Sequence, residues 1–226
     1  MSVHQAHETL WIDADPLSTA LDVPVGETAA HSSLSKRVLD LAIAVPLLLL
    51  LAPLMAAVAL WIALDSKGPV FFRQTRRGLG GKRFDIVKFR SMTVLENGDS
   101  VVQAKENDPR VTHAGRFLRK SSLDELPQLL NVIRGEMSLV GPRPHALAHD
   151  EFYGAAIEGY AARQGVKPGI TGWAQVHGLR GETPTLDSMK RRVVFDTWYA
   201  RNAGLILDLE ILLRTPFEVL RRRNAH

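Results

Sequence analysis

Cysteine is absent from the 226 residues, so no disulfide framework can hold this chain, and a cytoplasmic catalytic domain is its simplest setting. Aromatic residues make up only 7%. They do not interleave with the basic clusters, and no helix-turn-helix or RNA-binding motif occurs, which sets nucleic acid aside as a partner. A one-sided charge is missing too. The 28 basic residues face 24 acidic ones, a net +4 with a pI near 9.6, a modest excess that suits anionic lipid or phosphate-bearing ligands. Residues 1–33 show no sustained periodicity and no basic start leading into an apolar core, so they read as a mobile extension and not as a signal peptide. No internal repeat is visible.

Charge is missing altogether from Leu41 to Leu64, where Leu, Ala, Val and Ile dominate. The run exceeds the roughly 20 apolar residues that cross the hydrocarbon core of a bilayer, so it belongs in a membrane. Pro53, near its middle, cannot donate to the helical ladder and predicts a kink. Lys36, Arg37 and Asp40 stand before the run, and Asp65 and Lys67 after it. A helix that bends at Pro53 and returns would keep both charged ends in one compartment.

Two β-prone runs, 70–74 and 83–90, flank a Gly-rich turn and predict a hairpin. Gly78, Gly80 and Gly81 do not form a phosphate loop, because no Lys-Ser/Thr pair and no helix follows them. Alternation along the second strand places Lys88 and Arg90 on one face. Residues 93–110 read as a polar loop, with turn signals at Asn97-Gly98 and Asp108-Pro109.

The stretch from Arg119 to Pro144 carries the chemistry. Ser122 stands three residues before Glu125, the spacing of a capping box, and Leu126, Leu129, Leu130 and Ile133 continue at helical intervals. Asp124 and Glu125 then fall in the first turn of a helix, where free N–H groups favour an ionised aspartate and attract phosphate. Acidic residues in a first turn usually do no more than cap. Here Arg119 and Lys120 precede them, and Gly141-Pro142-Arg143-Pro144 follows, with two fixed φ angles mounting one guanidinium fork. Carboxylates beside fixed cations suit phosphoryl transfer.

Residues 145–164 read as a helix. His145 and His149 lie at i, i+4, but no third ligand accompanies them, so they read as packing or surface histidines. Lys167 to Val176 is a Gly-containing turn with a short apolar strand or loop, its Trp173 open to either packing or stacking. Residues 186–201 form a helix. An amphipathic segment from Leu205 to Arg223 either packs on the domain or lies on anionic lipid.

Three motifs, Lys88-Phe89-Arg90-Ser91-Met92, Arg119 to Pro144, and Pro168-Gly-Ile-Thr-Gly-Trp-Ala-Gln-Val176, occur in the order found in the bacterial sugar transferases. The chain resembles that family, the monotopic phosphoglycosyl transferases, from roughly Ser35 to Arg222. The resemblance implies an α/β fold, mostly helical with a small β-hairpin. It divides the chain into the extension 1–33, a re-entrant membrane helix 34–66 broken at Pro53, and a cytosolic catalytic domain 67–226 with amphipathic interfacial helices. Implied too is transfer of a sugar 1-phosphate from a UDP-sugar to undecaprenyl phosphate, with release of UMP, at the cytoplasmic face of a bacterial inner membrane. That step would open exopolysaccharide, capsule or O-antigen synthesis.

In that scheme Asp124 is the nucleophile and forms an aspartyl-phosphosugar, Glu125 is its partner, and both hold Mg²⁺. Lys88, Arg90, Arg119 and Arg143 bind substrate phosphate, and Pro142, Pro144, Thr171, Gln175 and Asp196 line the substrate pocket. The partners are the UDP-sugar, the polyprenyl phosphate and inner-membrane lipid; whether a homodimer forms stays open on the residues. Two positions depart from the family pattern: Ala52 before Pro53, where relatives commonly have Ser, and His177, where they often have Asn. The segment Gly178-Leu-Arg-Gly-Glu-Thr183 resembles longer relatives that use glucose- or galactose-type donors. The rivals are a membrane-tethered scaffold that needs no Asp124, and a nucleotide-sugar hydrolase that needs no lipid.

Overall fold

A computed structural model describes residues 34–93, 108–181, 183 and 185–221. The extension 1–33 and most of the expected polar loop at 93–110 lie outside the described residues.

Helix α1 (Leu34–Asp65) has 32 residues, a contour length of about 48 Å at 1.5 Å per residue. It runs as one helix through Pro46 and Pro53, whose missing N–H groups leave the carbonyls of Ala42 and Leu49 without ladder donors. Lys36, Asp40 and Ala44 recur every fourth residue and are buried; Val58 and Ile62 repeat the pattern at the other end. Between them the helix shows apolar side chains outward, with Leu49 and Leu50 exposed by 70% and 76%.

Both ends of α1 are fastened to the same body. At the start, Lys36 Nζ donates to Asp208 Oδ2 at 2.6 Å, Arg37 donates to the carbonyls of Val132 and Ile133, and Asp40 accepts from the Leu139 N–H at 2.9 Å. At the finish, Asp65 accepts from the Ala114 N–H at 3.1 Å. Arg90 Nη2 reaches the carbonyls of Ile62 and Ser66 there, and its Nη1 reaches that of Lys67. One guanidinium thus satisfies carbonyls that every helix end leaves without partners.

Strands β1 (Phe71–Arg77) and β2 (Arg83–Phe89) pair antiparallel, from Phe71↔Phe89 to Arg77↔Arg83. This is the expected hairpin, and its turn places Gly80 and Gly81 at φ 62° and 74°. Helix α2 (His113–Ser121) is capped by Thr112, whose hydroxyl accepts from the Gly115 N–H at 2.9 Å. A 3₁₀ turn (Leu123–Glu125) leads into helix α3 (Gln128–Arg134). Asn131 on α3 grips β2, accepting from the Val87 N–H and donating to the Asp85 carbonyl.

Strand β3 (Ser138–Val140) pairs in parallel with β4 (Gly169–Thr171), a second small sheet that the sequence pattern did not announce. Between them lie helix α4 (Leu147–Ala156) and a 3₁₀ segment (Tyr160–Gly165), where one helix over 145–164 was expected. The short α5 (Trp173–Val176), then α6 (Leu186–Asn202) and α7 (Leu205–Arg221), complete the fold. The main core joins Ala44 of α1, Ile86, Leu129, Val132, Met137, Val140, Tyr199 and Ile211. A smaller one joins Val58 and Ile62 to Phe89, Ala114 and Leu118. Helix α7 packs on the domain through the buried Ile211, while Ile206, Leu213 and Phe217 face outward.

Candidate active site

Ser122 has φ 62°, the only non-glycine among the described residues in the left-handed region. It closes α2 by donating its N–H to the Arg119 carbonyl, and its own carbonyl accepts from the Glu125 N–H at 3.2 Å. The expected capping box is therefore not made: the backbone already satisfies Glu125, and the Ser122 hydroxyl accepts from Arg180 Nη2 instead. The helix that the spacing placed at Ser122 opens at Gln128, after Pro127. Asp124 and Glu125 sit in the tight turn before it, both buried, with 9% and 8% of their surfaces exposed.

Glu125 organises the cations. Its Oε1 accepts from Lys88 Nζ at 2.8 Å, and both its oxygens accept from the Arg143 fork, Oε2 at 3.1 Å. Burial pushes the Glu125 carboxyl up, but Arg143 and Lys88, through charge and hydrogen bonds, outweigh it and hold the group well below the carboxylate range. Arg143 is raised in turn by Glu125. Asp124 behaves oppositely. Burial, then the neighbouring Glu125, push its carboxyl up to about 6 against the pull of Lys88, Arg119 and Arg143. Two adjacent carboxylates with pKa values driven apart have different tasks open to them. Burial raises Asp124 where the helix dipole was expected to favour its charge, because the turn is too short to carry a dipole and the site is desolvated; the carboxyl is still mostly ionised at neutral pH.

The loop holding Arg143 is fixed from behind. Arg163 Nη2 donates to the Arg143 carbonyl at 2.6 Å and to Asp196 Oδ2 at 2.8 Å; Arg76 Nη1 donates to the Pro144 carbonyl at 3.1 Å. Tyr160 donates to Asp150 at 2.6 Å and meets His145 Nδ1 at 2.6 Å. Burial, and then Arg163, hold His145 well below the histidine range, so it is neutral. From below, Gly141, Gly169 and Gly172 bring two backbones together. A Cβ on Gly141 would lie 2.2 Å from the Lys167 carbonyl oxygen, and one on Gly169 2.1 Å from the Gly141 nitrogen.

Of the residues singled out in the sequence, Asp124, Glu125, Lys88 and Arg143 come together, with Arg119 close enough to act on Asp124. Arg90 does not join them: it follows the end of β2 and turns back to the carbonyls at the end of α1. Asp196 is no pocket wall; it is buried behind the loop, paired with Arg163. Pro142 and Pro144 offer their carbonyls to the Gly169 N–H and to Arg76. Thr171 and Gln175 line a cavity that reaches Glu125. Trp173 packs, its ring 4.8 Å from that of Trp198. Pro53 is exposed at the middle of α1.

Arg76, Arg163 and Arg180 went unmarked, since each reads in sequence as one more surface arginine. Only Arg180, inside the segment 178–183, stood in a stretch already set apart.

Among the described residues no group of three or more His, Asp or Glu side chains could hold a metal. The carboxylates of the turn are Asp124, with no hydrogen bond among the described residues, and Glu125, whose two oxygens accept from Lys88 and Arg143; a hard cation there would draw most of its oxygens from diphosphate and water.

The sequence profile of the bacterial sugar transferases matches residues 31–222. The chain is 51% identical over 211 residues to UDP-glucose:undecaprenyl-phosphate glucose-1-phosphate transferase of Escherichia coli (strain K12), covering 93% of this chain and 45% of that protein. The protein of the same name from Caulobacter vibrioides is 54% identical over 193 residues, covering 85% of this chain and 72% of that protein. Exopolysaccharide production protein PSS of Rhizobium leguminosarum bv. phaseoli is 44% identical over 191 residues, covering 83% of this chain and 96% of that protein. The chain thus spans under half of the Escherichia coli relative and nearly all of the Rhizobium one. With Asp124, Glu125 and Arg143 gathered as described and the profile covering most of its length, the chain belongs to the bacterial sugar transferase family.

Proposed function

We propose that this chain transfers glucose 1-phosphate from UDP-glucose to undecaprenyl phosphate, forming undecaprenyl diphosphate glucose and UMP. The observation that carries the reading is the split carboxylate pair: Asp124 desolvated and without a hydrogen-bonding partner among the described residues, Glu125 holding Lys88 and Arg143 beside it. The names of several relatives favour glucose as the sugar, one relative being named for N-acetylgalactosamine instead.

In the first step a carboxylate oxygen of Asp124 attacks the phosphorus that bears the sugar. The bond from that phosphorus to the bridging oxygen breaks, and UMP leaves with the electron pair. In the second step an oxygen of the lipid phosphate attacks the same phosphorus and the Asp124 carboxylate departs. Lys88, Arg119 and Arg143 offset charge on the phosphoryl oxygens. Glu125 keeps the two nearest of these cations in place while the site is empty. Asp124 and Glu125 would hold Mg²⁺, which supplies charge neutralisation between an anionic nucleophile and a diphosphate.

Re-entrant seating of α1, on the cytoplasmic face of the inner membrane, belongs to the same proposal. It draws support from two features: both charged ends of α1 fasten to one body, and its middle turns show exposed Leu. Reporters at the two ends that map to opposite sides of the membrane would refute it.

The test is UMP release from membranes holding the full chain, supplied with UDP-glucose or UDP-galactose, Mg²⁺ and undecaprenyl phosphate. UMP formed in quantity only with lipid, and abolished in Asp124→Asn, is the expected result. A wide donor panel giving no UMP returns the chain to the scaffold reading.

A further inference from the structure

A cavity of about 240 Å³ opens beside the carboxylate pair. By the measure in which about 150 Å³ takes a benzene ring, it has room for roughly one or two five-carbon units. Its walls are mainly apolar, with Thr171, Gln175 and Thr215 set among the aliphatic side chains. Ile43 and Leu47 come from the first half of α1, Leu212 and Val219 from α7, and Ile170 from β4. Both α1 and α7 also carry the outward apolar side chains, among them Leu49, Leu50, Leu213 and Phe217. The cavity therefore runs from the membrane-facing helices to the catalytic turn. A sugar or a uridine, each rich in hydroxyls or amide edges, would leave polar groups unpaired against Ile43, Leu47, Leu212 and Val219, where an isoprene unit would not.

One end is polar. Glu125, Ser122, Arg180 and Glu218 meet there. Arg180 donates to the Ser122 hydroxyl and, among the described residues, forms no ion pair. Lys88 and Arg143, by contrast, are engaged by Glu125. Glu218 lies on the same rim with Oε1 buried and without a hydrogen-bond partner, so the rim carries carboxylate as well as cation.

Resting on the transferase reading, we infer that this cavity is the acceptor subsite: it takes the first isoprene units of the polyprenyl phosphate, with Arg180 on the lipid phosphate. The tail leaves between α1 and α7 into the bilayer. Arg180 binds the acceptor and not the donor, so it governs the second half-reaction alone. The stretch 178–183 then serves lipid capture, and its arginine reaches the catalytic turn through the strained Ser122.

The experiment uses the full chain in nanodiscs with a diazirine-bearing geranyl phosphate as acceptor probe. Photolysis is expected to label α1 around Ile43–Leu47 and α7 around Leu212–Val219, with labelling displaced by undecaprenyl phosphate. In parallel, Arg180→Ala should raise the acceptor KM about tenfold or more, a larger change than in the donor KM, and Arg180→Lys should recover most of the loss. Leu212→Trp, filling the cavity, should give the same split. Labelling elsewhere, or none, overturns the subsite whatever the donor result. An unchanged acceptor KM in both Arg180→Ala and Leu212→Trp overturns it also. Labelling at these positions in a chain that forms no UMP would keep the subsite and remove the transferase reading.

Discussion

Arg163 holds Arg143 from behind: its Nη2 donates to the Arg143 carbonyl at 2.6 Å and to Asp196 Oδ2 at 2.8 Å. The guanidinium that faces Glu125 is thus positioned by a second one that touches no substrate. Burial works against the Arg163 charge, and Asp196, Tyr160 and Asp150 together more than compensate. Replacing Arg163 with Lys keeps the charge and loses the fork. Turnover should fall about ten- to a hundredfold through misplacement of Arg143. The donor KM should rise with it, while thermal unfolding shifts little. A variant with unaltered kinetics would show that the loop does not need this brace.

The pH dependence should report Asp124. Its carboxyl lies at about 6, so kcat/KM should fall below that pH as the nucleophile is protonated, and at pH 7 about nine-tenths of the enzyme is ready. Glu125, held well below the carboxylate range, should add no limb near neutrality. A pH–rate profile flat from 5 to 8, under conditions where chemistry limits, would contradict the assignment.

The same group sets a stability trend. A carboxyl whose folded pKa is raised binds its proton more tightly in the folded state, so stability is greatest below the unfolded value of 3.8 and declines as pH climbs to about 6. Above that, the ionised Asp124 costs up to about 3 kcal/mol. Asp124→Asn should therefore raise the melting temperature at pH 7.5 and confer much less at pH 4, measured by thermal unfolding in detergent. Equal shifts at both pH values would place the gain elsewhere.

Lys36 and Asp208 are both almost fully buried and 2.6 Å apart. Removing one partner strands the other, so Lys36→Met should destabilise by about 3–5 kcal/mol, and pairing it with Asp208→Leu should restore much of that. Double-mutant unfolding measures the difference; additive losses would mean the two charges act separately.

Gly141→Ala should prevent folding, because its Cβ would meet backbone at 2.2 Å where nothing can yield. Gly154→Ala is the control. It lies inside α4 with the nearest side-chain atom at 3.9 Å, and should stabilise by about 0.5–1 kcal/mol. Expression and melting temperature of the two variants distinguish steric need from propensity.

Local periodicity made the hairpin, α1 and α6 legible; motif spacing singled out Asp124, Glu125 and Arg143, the resemblance added Lys88, and the four side chains do come together. Long-range pairing was beyond it. Arg90 follows Lys88 by two, and alternation put both on one face, from which the resemblance sent both to the substrate phosphates, yet the free carbonyls at the end of α1 captured Arg90. Ser122 and Glu125 have capping-box spacing, but a helix ending at Ser122 claimed its backbone first. The β3–β4 pair uses three-residue strands, too short to alternate visibly, and joins segments some thirty residues apart.

The fastening of α1 has a consequence for how the chain is made. Helix α1 leaves the ribosome long before β3 or α7, yet Lys36 waits for Asp208 and Asp40 for Leu139. Until those segments are synthesised, two charges flank an apolar rod with only water or lipid headgroups to solvate them. On the membrane seating proposed above, insertion would precede docking, and the nascent helix would be held at the interface by its own unpaired ends. The remaining residues would then assemble onto an anchor already in place, so a substitution at Lys36 or Asp40 should strike biogenesis before it strikes turnover.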